Sequence, residues 1–158
     1  KNMFIPIYQA IYPYMSRLKP IAMHGLMKQV APGIIIMGVA IMSIFYFFAD
    51  FILGLLYDDP VIMEYAFLFK TMSVIALFSG LHMMYNVLYA PATKQFKKLM
   101  WIMISVGIFN LLLSLSIVPA FNIEGTVAAV VITEFILLCL CLFFYLKDFK
   151  NYSFTNSN

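Results

Sequence analysis

Charged residues are scarce in this sequence. Only 11% of its 158 residues are charged and 64% are hydrophobic, whereas about a quarter of a soluble domain is charged and about half is apolar. Such a chain lacks the polar surface that would cover a globule in water. The composition therefore predicts an integral membrane protein.

Other shortages argue against several classes of function. The net charge is only +3, and no Lys/Arg-rich block with interleaved aromatic residues is present to grip nucleic acid. The sequence has no phosphate-binding loop, no HExxH motif, no CxxC pair and no Ser-His-Asp set, so we expect no enzyme, cofactor or metal site. Cys139 and Cys141 lie on roughly opposite faces of an apolar helix and are interpreted as packing residues.

Long apolar stretches are what the sequence has instead. Each of four stretches meets the length of about 20 residues that a helix needs to cross about 30 Å of hydrocarbon. Segments with helix-ending residues separate them: YDDP, APATKQFKK and VPAFNIEG. We place Pro32 in the first turn of the first span, and expect the turn in VPAFNIEG to be tight. The predicted spans are 33–57, 65–89, 99–118 and 125–146.

The charges outside the spans separate by sign between the two ends of the predicted bundle. Lys and Arg near span ends mark the cytoplasmic side. The chain is therefore predicted to enter its first span from the cytoplasm and to end in the cytoplasm. The cations of one end are Arg17, Lys19, Lys28, Lys94, Lys97, Lys98, Lys147 and Lys150, and the acids of the other are Asp58, Asp59, Glu64 and Glu124.

The two ends of the chain lie outside the predicted bundle of 21–150. Residues 1–20 are apolar and aromatic but short, and they contain Pro6 and Pro13. They form either an interfacial helix with tyrosines at headgroup level or the cytoplasmic end of a preceding span that was cut away, which we favour. Residues 151–158 are polar and are predicted to be a disordered cytoplasmic tail.

Five polar residues lie at membrane depth: Asp50, Lys70, His82, Asn110 and Glu134. Ionisable groups at this depth often mark a transport path, so all five are candidates for a substrate or ion pathway. Asp50 and Lys70 have matched depths, about 10 Å below the outer boundary, and are predicted to pair. The other three are predicted to share one polar layer near the midplane.

Each of these residues also has a structural interpretation. The ion pair would only stabilise packing, or Lys70 would extend its amine to the interface. Glu134 would be a protonated carboxyl that bonds a neighbouring helix, and His82 a buried histidine with a satisfied hydrogen bond. Small residues of the spans would permit close helix contacts or bending: Gly38, Gly54, Gly80, Gly107, Ala128 and Ala129.

Four segments, in this order and spacing, carry a family resemblance: QAIYPYMSRLK (9–19), FILGLLYDD (51–59), NVLYAPATKQFKKLM (86–100) and FNLLLSLSIVPAFNIEGTVAAVVITE (109–134). Over about residues 9–146 the chain resembles the carboxy-terminal third of bacterial polysaccharide, or O-antigen, flippases. These belong to the multidrug/oligosaccharidyl-lipid/polysaccharide exporter superfamily. Asn122 stands where the family often has glycine before the turn, and the first lobe of such proteins is missing here.

The resemblance implies an all-α integral membrane protein with about twelve spans in two six-helix lobes around a central cavity. The four spans of this chain would be the last four, in the bacterial cytoplasmic (inner) membrane. Such proteins move undecaprenyl-diphosphate-linked oligosaccharide from the inner to the outer leaflet. The implied partners are the bilayer, that lipid-linked oligosaccharide and the amino-terminal lobe of the same chain. Lys70 would be the intramembrane cation available to the diphosphate.

Two alternatives stay open at this point. One is a cation-coupled multidrug or metabolite exporter of the same superfamily. Neighbouring genes for glycosyltransferases and a polymerase would favour the flippase over this exporter. The other is a free-standing four-helix membrane subunit that scaffolds a partner. A reading frame that extends by hundreds of codons upstream of Lys1 would exclude the scaffold.

Overall fold

The computed structural model describes residues 2–57 and 60–155, and within those ranges every element of secondary structure is helical. A 3-10 turn (Asn2–Phe4) precedes the first helix, and a π segment (Met84–Tyr89) lies between the sixth and seventh. The helices are α1 (Ile5–Met15), α2 (Pro20–Phe47), α3 (Ala49–Leu56), α4 (Pro60–Glu64), α5 (Ala66–Met72), α6 (Ile75–Met83), α7 (Ala90–Ala92) and α8 (Phe96–Thr155).

Within the described residues, three stretches of helix are long and apolar enough to cross a membrane: Ile21–Phe47, Ala66–Ala92 and Phe96–Lys150. The second stretch consists of α5, α6, the π segment and α7, and will be called the central helix. It has a larger buried share than the other two. The structure therefore has the helical content and the apolar lengths of an all-α membrane protein.

The third stretch is a hairpin with two legs. Asn122 has φ 50° and ψ −124°, which are not helical angles, and it separates a first leg (96–121) from a second leg (123–150). The legs run antiparallel, because Asn110 Nδ2 lies 2.8 Å from Thr133 Oγ1 and Lys98 Nζ lies 2.8 Å from Asp148 Oδ1. Each leg exceeds the about 20 residues of a span. The turn predicted in 118–125 is found at Asn122, and the count of four spans stays a prediction.

The beginning of the first span differs from the prediction. Helix α2 starts at Pro20, and Pro32 lies inside it, so the placement of Pro32 in the first turn was wrong. The prediction used the onset of the apolar run, but the helix starts earlier, where Pro20 occupies a first-turn position that needs no backbone N–H. At the other end, α2 stops at Phe47, and α3 follows from Ala49 to Leu56 after the break at Phe48.

Helix α2 packs closely against the central helix in the antiparallel direction. A Cβ atom on Gly38 would lie only 3.2 Å from the Cα of Leu77, and one on Gly80 would lie 2.9 Å from the ring of Phe4. The predicted close contacts are thus found at Gly38 and Gly80, whereas a Cβ on Gly54 or Gly107 would meet nothing within 4 Å.

One face of helix α1 packs against the bundle, and its opposite face is exposed. Phe4, Tyr8 and Met15 are fully buried, and the Tyr8 hydroxyl donates a hydrogen bond to the carbonyl of Gly80 on the central helix. Tyr8 therefore faces protein, not a headgroup layer. These side chains join a core that centres on the later part of the central helix, around Tyr85, Leu88 and Tyr89.

Lysine-bearing ends of the bundle lie together. Lys28 of α2 stands over the ring of Phe149 at 5.2 Å, and Lys98 pairs with Asp148, so the starts of α2 and of the first leg meet the end of the second. Asp58 and Asp59, which the sequence places at the opposite end, lie outside the described residues. Helix α8 is assigned to Thr155, within the segment predicted to be disordered, and residues 156–158 are also outside the described part. The cytoplasmic location of the lysine-bearing end stays a prediction.

Candidate functional site: a buried polar chain

Four polar side chains from two elements meet in the interior of the bundle and will be called the polar chain. His82 and Asn86 come from the central helix, and Glu134 and Cys141 come from the second leg. All four residues are buried, with exposures of 9% or less. Both elements are otherwise apolar here, so a row of four polar groups is an exception that needs a physical account.

The four side chains are joined end to end by three contacts. His82 Nε2 lies 2.7 Å from Glu134 Oε2, and His82 Nδ1 lies 3.1 Å from Asn86 Nδ2. Cys141 Sγ lies 3.3 Å from Asn86 Oδ1. The polar chain therefore crosses between the two helices twice, once at each end.

The orientation of the Asn86 amide assigns one direction to these hydrogen bonds. Its nitrogen, which only donates, lies on Nδ1 of His82, so in this orientation Nδ1 accepts. The imidazole then donates from Nε2 to the carboxyl oxygen of Glu134. At the other end the Cys141 thiol donates to the amide oxygen of Asn86. The protons thus point along the chain from the cysteine toward the glutamate.

Because each member bonds the next, the polar chain is sensitive to the loss of any one of them. Loss of one partner leaves the other buried polar group unsatisfied, at a cost of about 1–3 kcal/mol and more where that group is charged, while exchange of both partners for apolar groups of the same shape is nearly neutral. The arrangement also has a second state. A proton on the carboxyl of Glu134 would make it a donor to Nε2 of His82. For the contacts to persist, the imidazole would then carry its proton on Nδ1, and the amide of Asn86 would turn so that its oxygen accepts that proton.

The π segment that carries Asn86 has a local cause in the sequence. Pro91 has no backbone N–H, and in a regular α-helix its ring would collide with the carbonyl of Val87, four residues earlier. A wider π turn relieves this conflict, and the segment Met84–Tyr89 ends just before the proline. Single π turns inside α-helices occur frequently at functional sites. Pro91 therefore shapes the part of the helix that carries the polar chain.

Two of the predicted pathway residues lie apart from the polar chain, as a pair. Lys70 Nζ lies 2.7 Å from Asp50 Oδ2, which confirms the predicted contact, and the side chain of Asp50 is 57% exposed. This pair joins α3 to α5, toward the end opposite the lysine-bearing one. Because the Asp50–Lys70 pair lies away from the polar chain, the five predicted residues do not form one site.

The predicted polar layer is found in part. His82 and Glu134 are in contact, but Asn110 donates instead to Thr133, beside Glu134 along the second leg. Asn110 therefore links the two legs of the hairpin to each other, and its amide is not bonded to the polar chain. The role of all five residues in a pathway stays a prediction.

Sequence reasoning missed Asn86 and Cys141, although their spacing was informative. Asn86 follows His82 by four residues, and Cys141 follows Glu134 by seven, so each pair occupies one face of its helix. The interpretation of Cys141 as an apolar packing residue was incomplete, because its thiol is bonded to Asn86. Cys139 is exposed, as the opposite face predicted.

A second cluster missed at the sequence level lies at the lysine-bearing end. Lys98 contacts both carboxylate oxygens of the buried Asp148, at 2.8 and 3.0 Å. Nearby, the buried ring of His24 is enclosed by the rings of Tyr89, Tyr145 and Phe149. This cluster closes the open end of the hairpin against α2.

No group of three or more His, Cys, Asp or Glu side chains with the spacing of a metal site occurs within residues 2–57 and 60–155. Comparison of the chain with protein-family models, with curated proteins and with solved structures finds no match.

Proposed function

We propose that this chain is the carboxy-terminal part of a membrane flippase for undecaprenyl-diphosphate-linked oligosaccharide, acting in polysaccharide biosynthesis in the bacterial inner membrane. The observation that carries the proposal is the polar chain of Glu134, His82, Asn86 and Cys141. The substrate class comes from the sequence resemblance over about residues 9–146.

The burial of the polar chain supports a transport function over a purely structural one. An ionisable group within a membrane bundle is costly, and such groups usually face a bundle interior or a hydrated path. A bundle of this kind packs well with apolar and small residues alone. Its polar chain links the central helix to the second leg through contacts that a proton on Glu134 would rearrange, and this suits a carrier whose helices change position.

A second candidate is a cation-coupled exporter of drugs or metabolites. The contact between His82 and Glu134 favours it specifically, because a carboxylate hydrogen-bonded to a histidine is able to take up a proton. The two candidates share the carrier mechanism, in which two lobes rock about a hydrated cavity, and differ in the cargo.

Complementation of a deletion strain by the full-length protein tests the proposal. We expect Glu134→Gln to lower surface polysaccharide strongly, and lipid-linked oligosaccharide to accumulate at the inner leaflet, at normal abundance of the protein in the membrane. Glu124→Gln is the matched control, since Glu124 is an exposed acid at the hairpin turn, and we expect the level of the unmutated protein. If the deletion strain made normal surface polysaccharide and became sensitive to drugs, the flippase proposal would be wrong and the exporter would be favoured.

A further inference from the structure

An apolar crevice of about 230 Å³ opens between α2, the central helix and the second leg. It lies beside the polar chain, with Cys141 in its wall, toward the lysine-bearing end of the bundle. The lining residues are Met27, Lys28, Ala31, Leu81, Met84, Tyr85, Leu138, Cys141, Leu142 and Tyr145.

The chemistry of the crevice selects the kind of molecule that fits it. Its lining consists almost wholly of aliphatic, thioether and aromatic side chains, which offer few hydrogen bonds to a sugar. Its volume is below the about 300–1,000 Å³ of pockets that enclose drug-sized ligands. A segment of one hydrocarbon chain satisfies both the surface and the size.

Lys28 adds a cation to the rim of this apolar space. Its residue is exposed, and its amine stands 5.2 Å from the ring centre of Phe149. The unbroken apolar run begins at Gly33, about 7 Å further along α2, so Lys28 lies near the depth at which headgroups begin. Asp148, the acid closest to this rim in the described part of the chain, is bonded to Lys98 and leaves the positive charge of Lys28 available.

We propose that this crevice binds an anionic phospholipid, with one acyl chain in the apolar space and the phosphate beside Lys28. The charge of the amine complements the phosphate, and basic sites between membrane helices recognise acidic headgroups in this way. The site is independent of the proposed cargo.

Native mass spectrometry of the full-length protein with equal amounts of phosphatidylglycerol and phosphatidylethanolamine tests the proposal. We expect phosphatidylglycerol to be retained preferentially, and Lys28→Gln to lower that preference about fivefold, the factor typical of one cation near the surface. Lys97→Gln is the matched control, because Lys97 is exposed at the same end but does not line the crevice, and its preference should equal that of the unmutated protein.

A second variant separates the acyl chain from the headgroup. Ala31→Trp would fill the crevice and lower retention of both lipids. An equal loss in the Lys28 and Lys97 variants would overturn the proposal, since it would assign the preference to diffuse charge. Two other results would overturn the proposal. One is displacement of phosphatidylglycerol by undecaprenyl phosphate at equal concentration. The other is that no lipid is retained because another segment of the full-length chain covers the crevice.

Discussion

The contact between His82 and Glu134 makes a quantitative prediction about stability. His82→Leu removes one donor of the Glu134 carboxyl group and the acceptor of the Asn86 amide, and the two losses together should cost about 3 kcal/mol. Glu134→Leu leaves the imidazole N–H without its acceptor and should cost about 2 kcal/mol. With both residues replaced by leucine, the remaining cost is the amide N–H of Asn86, about 1 kcal/mol. The sum of the two single costs therefore exceeds the cost of the double variant by about 4 kcal/mol, which is the coupling between the two residues.

Equilibrium unfolding of the full-length protein in mixed micelles with increasing SDS measures these free energies. The matched control is a second cycle, Asn110→Leu with Thr133→Ala, which removes a neutral hydrogen bond from the same bundle. Such bonds couple by about 0.6 kcal/mol on average and at most about 1.7 kcal/mol. If the coupling of His82 with Glu134 stayed below about 1.7 kcal/mol, the carboxylate would not be a buried charged acceptor, and the direction assigned to the polar chain would be wrong.

Three further predictions concern a close helix contact, the hairpin turn and an ion pair, and all are checked in the same unfolding assay. Gly38→Ala should cost about 1–3 kcal/mol of stability, because the added methyl group meets the backbone of the central helix. Gly54→Ala is the control and should be neutral or slightly stabilising. Equal effects of the two substitutions would contradict the close packing of α2 on the central helix. Asn122→Gly should stabilise by about 1 kcal/mol by relieving a positive φ, and a loss of stability would show that the asparagine side chain is needed. Lys98→Gln should cost about 1 kcal/mol by removing the partner of Asp148, and no change would show that this pair is solvated.

The lengths of helix and the hairpin were predictable because they follow from composition and from local backbone preference. Apolar runs of about 20 residues define the core of each span. The turn before Gly125 was predictable too, because Asn122 is of a residue type that tolerates positive φ. The helix start at Pro20 was not, because polar residues between 20 and 33 do not break a helix and hydropathy alone does not report where one begins.

The site was only half predictable, for a different reason. Depth along a span follows from counting residues, so Asp50 with Lys70 and His82 with Glu134 were recognisable as neighbours. Which face of each helix turns inward was not recognisable, because the spans are apolar nearly all round and carry little periodic signal. Asn110 was therefore assigned to a layer with which it shares depth but no hydrogen bond.

The π segment limits how far regular helical spacing predicts the facing of side chains along the central helix. Along the central helix the conflict at Pro91 is relieved by a wider turn over Met84–Tyr89, and residues before and after such a turn no longer share the 3.6-residue register. The direction of Asn86 therefore depends on a proline five residues later, not only on its distance from His82. Because Asn86 contacts His82, and His82 in turn contacts Glu134, a backbone irregularity near one end of the central helix lies next to a buried contact between two helices. A carrier that moved this segment would alter the histidine–glutamate contact without any change of side chain.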